Sequence, residues 1–117
     1  AISAAPDRNP PYMLMSDGSV RNAYTLKLRN MESRPRPMRV KLEGLPGAAM
    51  WSDEIDRKDA ARTLVVTVPA DATQALRVYV IAPPNTPAQD FEFDVTSVDE
   101  QVEMAETQTR FTAPGDE

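Results

Sequence analysis

Ala23-Tyr-Thr-Leu-Lys-Leu-Arg-Asn30 alternates apolar and polar side chains along its length. An extended backbone sends successive side chains to opposite faces, so Tyr24, Leu26 and Leu28 share one face while Thr25, Lys27 and Arg29 share the other. This is the pattern of a half-buried β-strand, and it recurs along the chain. Met38-Arg-Val-Lys-Leu-Glu43 turns Met38, Val40 and Leu42 inward. Arg62-Thr-Leu-Val-Val-Thr-Val68 does the same with Leu64, Val66 and Val68, and Ala75-Leu-Arg-Val-Tyr-Val-Ile81 with Leu76, Val78 and Val80. Asp90-Phe-Glu-Phe-Asp-Val-Thr96 buries Phe91, Phe93 and Val95 and leaves its acids on the solvent face, where little pKa displacement is expected. A short strand is expected over Tyr12–Met15. The last, from about Gln101 to Thr112, needs a bulge, because Val102 and Met104 have the opposite parity to Phe111.

The separators agree with this reading. Ser16-Asp-Gly-Ser19 is a turn signal with Gly18 free to take positive φ, Gly44-Leu-Pro-Gly47 ends a strand, and Pro83-Pro-Asn-Thr-Pro87 interrupts any ladder. About seven half-buried strands at near-regular spacing predict an all-β antiparallel sandwich. A further short strand near Trp51 is possible in this scheme. Residues 52–61 could form a turn of helix or a crossover loop, and the loop is the favoured reading. Trp51, the single Trp, is expected to plug the end of the core. The 117 residues fit a single domain, 1–117, with its core over about 7–113 and short mobile ends at Ala1–Ala5 and Pro114–Glu117.

Composition removes much chemistry. The chain has no Cys and no His, which excludes disulfides, thiolate metal sites, cysteine nucleophiles and a Ser-His-Asp triad. Its four Gly, at 18, 44, 47 and 115, form no phosphate loop. No apolar run approaches a membrane span and no basic-then-apolar leader opens the sequence. An enzyme is therefore not expected. The net charge is −5 but unevenly placed: residues 1–41 hold eight basic and three acidic side chains, residues 42–117 five basic and fifteen acidic. Nucleic acid is a poor partner for such a chain. The cluster Arg34-Pro-Arg-Pro-Met-Arg39 is expected to be a solvated turn and strand face pairing with the acidic later strands, with anionic lipid headgroups as a weaker alternative.

Three groups could carry function. Met13 and Met15, two apart on a strand, are weak Cu(I) ligand candidates, although packing is the commoner role of Met. Asp53, Glu54, Asp56 and Asp59 lack the calcium-loop frame and read as a solvated loop. Asp7-Arg8-Asn9-Pro10 and Ser16-Asp17-Gly18-Ser-Val-Arg21-Asn22 mix charge, amide and turn residues just ahead of a strand. Arg21 can fork onto Asp7 or Asp17, and Asn22 can satisfy loose backbone groups, making a polar clasp between the first two strands.

The run Asp7-Arg-Asn-Pro10, then Leu14, Ser16 to Asn22, Tyr24-Thr-Leu-Lys27 and Asn30, resembles the C-terminal domain of the FixG family, the cytochrome c oxidase accessory proteins of the CcoG type. Leu42-Glu-Gly-Leu-Pro-Gly47 resembles it too, whereas Pro11, Met13 and Met15 depart from the apolar residues expected there. The resemblance implies an immunoglobulin-like sandwich. It marks Asp7, Arg8, Asn9, Asp17, Gly18, Arg21, Asn22 and Tyr24 as structural or interaction residues. It implies a membrane-anchored parent with iron–sulfur clusters held elsewhere, no cofactor in this domain, and a location on the periplasmic side of the inner membrane. Its expected function is protein interaction, with oxidase subunits or assembly factors as partners, in support of cbb-type oxidase assembly. The alternatives are a Met-based Cu(I)-handling domain, a spacer, or a sandwich from an unrelated surface protein.

Overall fold

The fifteen side chains assigned inward by alternation are all buried, none more than 7% exposed. The computed structural model describes residues 2–116. It contains nine strands: β1 (Ile2–Pro6), β2 (Met13–Leu14), β3 (Val20–Asn30), β4 (Arg36–Glu43), β5 (Ala49–Ser52), β6 (Thr63–Val68), β7 (Ala72–Ala82), β8 (Gln89–Ser97) and β9 (Glu103–Phe111). One antiparallel sheet runs β1-β3-β7-β5, with β2 pairing to β3; the other runs β6-β4-β8-β9. Their inner faces meet in one core, in which Tyr24 stands edge-on to Phe91 and Phe93 at 5.6 and 5.5 Å.

β3 organises the first sheet. β7 pairs with it over all eleven residues, Val20 to Asn30 against Ala82 to Ala72. On its other side β1 pairs with Tyr24 to Leu28, and β2 with Arg21 and Val20. The second sheet contains the expected bulge: Val95 faces Ala105 but Thr96 faces Glu103, so Met104 is the extra residue. Phe111 thereby reaches the core, Met104 packs against it, and Val102 stays exposed.

Several expectations are corrected. The N-terminal residues are not loose: Ile2–Pro6 is a strand hydrogen-bonded to β3, with Ile2 and Ala4 packed on the core. At the other end Arg110 binds Asp116 through two hydrogen bonds at 3.1 and 2.9 Å. Ala1 and Glu117 lie outside the described residues. The strand expected over Tyr12–Met15 shortens to Met13–Leu14 because Met15 already closes the turn, accepting from Gly18 N–H. The favoured loop reading of residues 52–61 holds: beyond Ser52, which ends β5, the chain makes a loop with a 3-10 turn at Arg57–Asp59 before Ala61 bridges to Met50. Trp51 does not plug the core. Its neighbour Met50 points inward, so alternation puts Trp51 on the outer face, where it stacks on Tyr79 at 5.5 Å.

Candidate functional site

Most of the motif residues hold the sandwich together. The Asp17 carboxylate accepts from the Ser19 N–H and hydroxyl, which keeps its pKa below the ordinary carboxylate value, and Gly18 supplies φ of +89° in that turn. Asn22 does satisfy backbone groups, but across the sandwich: its amide donates to Thr112 O and accepts from Thr112 N–H, at 2.9 and 2.8 Å. Two positions on, the Tyr24 hydroxyl donates to Arg110 O at 2.8 Å, and burial raises its pKa. Both residues of β3 thus pin the end of β9 in the facing sheet.

The expected Arg21 clasp forms differently. Asp7 pairs with Arg77 of β7, through bonds of 3.3 and 2.5 Å, and this pairing raises the Arg77 pKa. Asp7 N–H bonds Ala23 O, which places its carboxylate abreast of Arg77 rather than of Arg21, and Asp17 is occupied by Ser19. Arg21 instead lies over the Tyr79 ring at 5.3 Å, with Arg77 over the same ring at 5.5 Å. Tyr79 stacks on Trp51, and Arg57 covers Trp51 at 5.5 Å. A ladder in which the stacked Trp51 and Tyr79 rings are flanked by guanidinium groups therefore crosses the outer face of the β1-β3-β7-β5 sheet. Asp53, from the acidic loop read as solvated, accepts from the Tyr79 hydroxyl at 3.1 Å.

Beside the ladder lies a cleft of about 210 Å³, walled by residues 9–13, Arg21, Arg77 and Tyr79. It gathers Asp7, Asn9, Met13 and Arg21 of the candidate set; Arg8 is exposed nearby in sequence, and Met15 lies outside its lining. Met13 is 44% exposed. Arg77, Tyr79 and Arg57 were missed from sequence. Arg77 and Tyr79 are the outward positions of an alternating strand, and an outward aromatic next to an outward arginine was the available signal.

The two outer faces differ in charge. Outward positions of β3 and β7 carry Arg21, Lys27, Arg29 and Arg77, and those of β1, β3, β5 and β7 carry no acid. Outward positions of β4, β8 and β9 carry Glu43, Asp90, Glu92, Asp94, Glu103 and Glu106 against Arg39, Lys41 and Arg110. Carboxylate oxygens of Glu92, Asp94 and Glu106 lie within 4.8 Å of one another, oxygen donors of the type a hard divalent cation takes. The expectation of undisturbed carboxyls on this face is corrected. A hydrogen bond with Asp94, partial burial and the charges of Asp94 and Glu106 push Glu92 from 4.5 up to about 7.

Between pH 4.5 and about 7 the folded chain keeps a proton on Glu92 that the unfolded chain has released, so this group's contribution falls as pH rises through that window. Glu103, raised chiefly by Glu106, acts in the same sense. Glu92→Gln should therefore flatten the decline in Tm between pH 5 and pH 8. A parallel decline in variant and parent would refute the assignment.

Residues 1–114 match the family described as the Ig-like fold at the C-terminus of FixG. The chain belongs to the FixG C-terminal family. It is similar to protein RdxB of Cereibacter sphaeroides, 37% identical over 91 residues, covering 78% of this chain and 18% of RdxB. It is 39% identical to the nitrogen fixation protein FixG of Rhizobium meliloti over 77 residues, 66% of this chain and 14% of that protein. The chain thus spans less than a fifth of the curated relatives it matches. A FixG-related protein from Vibrio parahaemolyticus shares the fold, with a TM-score of 0.76 at 20% identity, covering 97% of this chain and 95% of that one. The all-β, Ig-like sandwich of a FixG C-terminal domain is the architecture observed. No helix among the described residues is long and apolar enough to cross a membrane.

Proposed function

We propose that this domain is a non-catalytic protein-interaction module, carried on the periplasmic side of the inner membrane by a membrane-anchored iron–sulfur accessory protein that assists cbb-type oxidase assembly. The family match over residues 1–114 carries this reading. The chemistry of the chain supports it. With no His or Cys, most of its polar motif residues are spent on turns and on joining strands and sheets, and what remains for contact is a charged outer face. Iron–sulfur clusters belong to other parts of the parent, because this chain has no thiolate to hold them. Deleting the domain from the full-length protein should release oxidase subunits or assembly factors that otherwise co-purify with it from native membranes, with cluster content unchanged. Retention of every partner after deletion would overturn the reading.

A copper-handling role is the second reading, favoured by the exposure of Met13 at the cleft wall. Thioethers suit Cu(I), but two without His or Cys make a weak site. Titration with Cu(I) against a competing chelator separates the two. The interaction reading expects the parent chain and a Met13→Leu/Met15→Leu variant to hold Cu(I) equally; saturable binding lost in the variant would establish the copper role.

A further inference from the structure

We propose that the cleft between the Asp7–Met13 segment and the outer face of β3 and β7 receives a carboxylate-bearing segment of a partner protein, with Arg21 as its anion-binding group. The proposal rests on the interaction reading above and names the surface it uses.

Arg21 is the group that points to a ligand. Among the described residues its guanidinium makes no hydrogen bond or ion pair, yet it is half-buried and held over the Tyr79 ring at 5.3 Å. A guanidinium presents planar donors that match a carboxylate, and one fixed in place before binding loses little freedom on pairing. The cleft's own carboxylate, Asp7, is occupied by both arms of Arg77, so it does not neutralise Arg21. Lys27 and Arg29 extend the positive field along β3, with no acid at any outward strand position of this sheet. Pro10, Pro11, Tyr12 and Met13 form an apolar wall beside the charge. The complement is an extended segment in which an acidic side chain neighbours an apolar one.

Two other occupants fit less well. A lipid surface is broad and flat, whereas the cleft is concave and of about 210 Å³; Trp51, which would seek the headgroup depth, is 7% exposed beneath Arg57. A second copy would offer its acids on the outer face of β8 and β9, fixed within a sheet and not carried on an extended segment, and two chains of net charge −5 repel at long range.

Trp51 is the single Trp and stacks on Tyr79, so its fluorescence reports on the ladder. The probe is a synthetic octapeptide of alternating glutamate and leucine, with a glutamine–leucine octapeptide as control. The glutamate peptide should give a saturable fluorescence change, weakened at least tenfold by Arg21→Gln and only partly by Arg21→Lys, and unaffected by Arg39→Gln on the opposite face. Arg21 has no hydrogen bond or ion pair to lose, only its contact with the Tyr79 ring, so the unfolding midpoint of Arg21→Gln should lie close to the parent's. Equal binding of the glutamine peptide would overturn the proposal, as would equal weakening by Arg39→Gln. So would binding confined to phosphatidylglycerol vesicles, or self-association that Arg21→Gln abolishes. In the full-length protein, partners lost on domain deletion but kept by Arg21→Gln would refute the cleft and leave the interaction module standing. Partners kept after deletion would refute the module itself.

Discussion

Leu26→Ala should lower the free energy of unfolding by about 2–5 kcal/mol. Leu26 is fully buried at the middle of β3, directly opposite Ala4 of β1 and Leu76 of β7. It has strands on both sides and the second sheet above it, so no solvent-facing element can fold down to fill the space left by the lost methyl groups. The cost of a large-to-small change rises with the cavity that remains, which puts this site toward the upper part of the range. Leu14→Ala is the internal control. Leu14 is 58% exposed on the two-residue β2, and its truncation should change stability by no more than about 0.5 kcal/mol. Denaturant midpoints at unchanged m-value measure both. A loss below about 1 kcal/mol at Leu26 would mean that its face is surface-like and that the strand alternation has been read in the wrong phase.

Alternation made the core legible because period two leaves no freedom once one face is buried: a shift of one residue would expose Tyr24, Leu26 and Leu28 together. It gave no purchase on β1. Ile2-Ser-Ala-Ala-Pro6 holds one large apolar residue, and it is a strand only because β3 offers it an edge. Trp51 was misplaced for a related reason. A large aromatic is normally read as core, yet in β5 the inward position already belongs to Met50, and Tyr79 and Arg57 cover the indole from outside. Arg62 shows what pattern reading does not reach. It reads as the first residue of a strand, but its guanidinium donates to the carbonyls of Leu42, Gly44, Leu45 and Ala48, at 2.7–3.3 Å, and holds the loop in which Leu45 takes φ of +53°. At the candidate site, Asp7, Asn9, Met13 and Arg21 were marked from local sequence and do share a cleft. Arg77 and Tyr79 are 56 to 72 residues away in sequence and reach them only through the β3–β7 ladder, a pairing that no local pattern encodes.

Removing the two glutamates that face Arg36 should cost more than removing Arg36. The cluster Arg34-Pro-Arg-Pro-Met-Arg39 does pair with later acids, but its members differ in setting. Arg34 is half exposed and bridges to Asp99 at 3.1 Å, a pair worth no more than about 1 kcal/mol. Arg36 lies at an inward position of β4 and its side chain is 4% exposed. Its guanidinium meets Glu32, Glu100 at 2.6 Å and the Ser97 hydroxyl at 2.9 Å, while Nε has no partner. The two carboxylates are each about half exposed, at 50% and 54%. The pairing is therefore asymmetric. In Glu32→Ala/Glu100→Ala a buried cation loses both counter-charges and cannot reach water, which should cost about 3–5 kcal/mol. In Arg36→Met the two carboxylates turn into solvent, and the Met side chain retains much of the apolar stem's packing, so the loss should be well under half as large. Restoring neutrality in the triple variant, with Met at 36 and Ala at 32 and 100, should recover most of the stability lost by the glutamate pair. Equal losses in the two separate variants would mean that the guanidinium reaches water after all. A triple variant no more stable than the double would mean that the glutamates act through the hairpin between β3 and β4, where Glu32 N–H bonds the Asn30 side chain, and not through their charge.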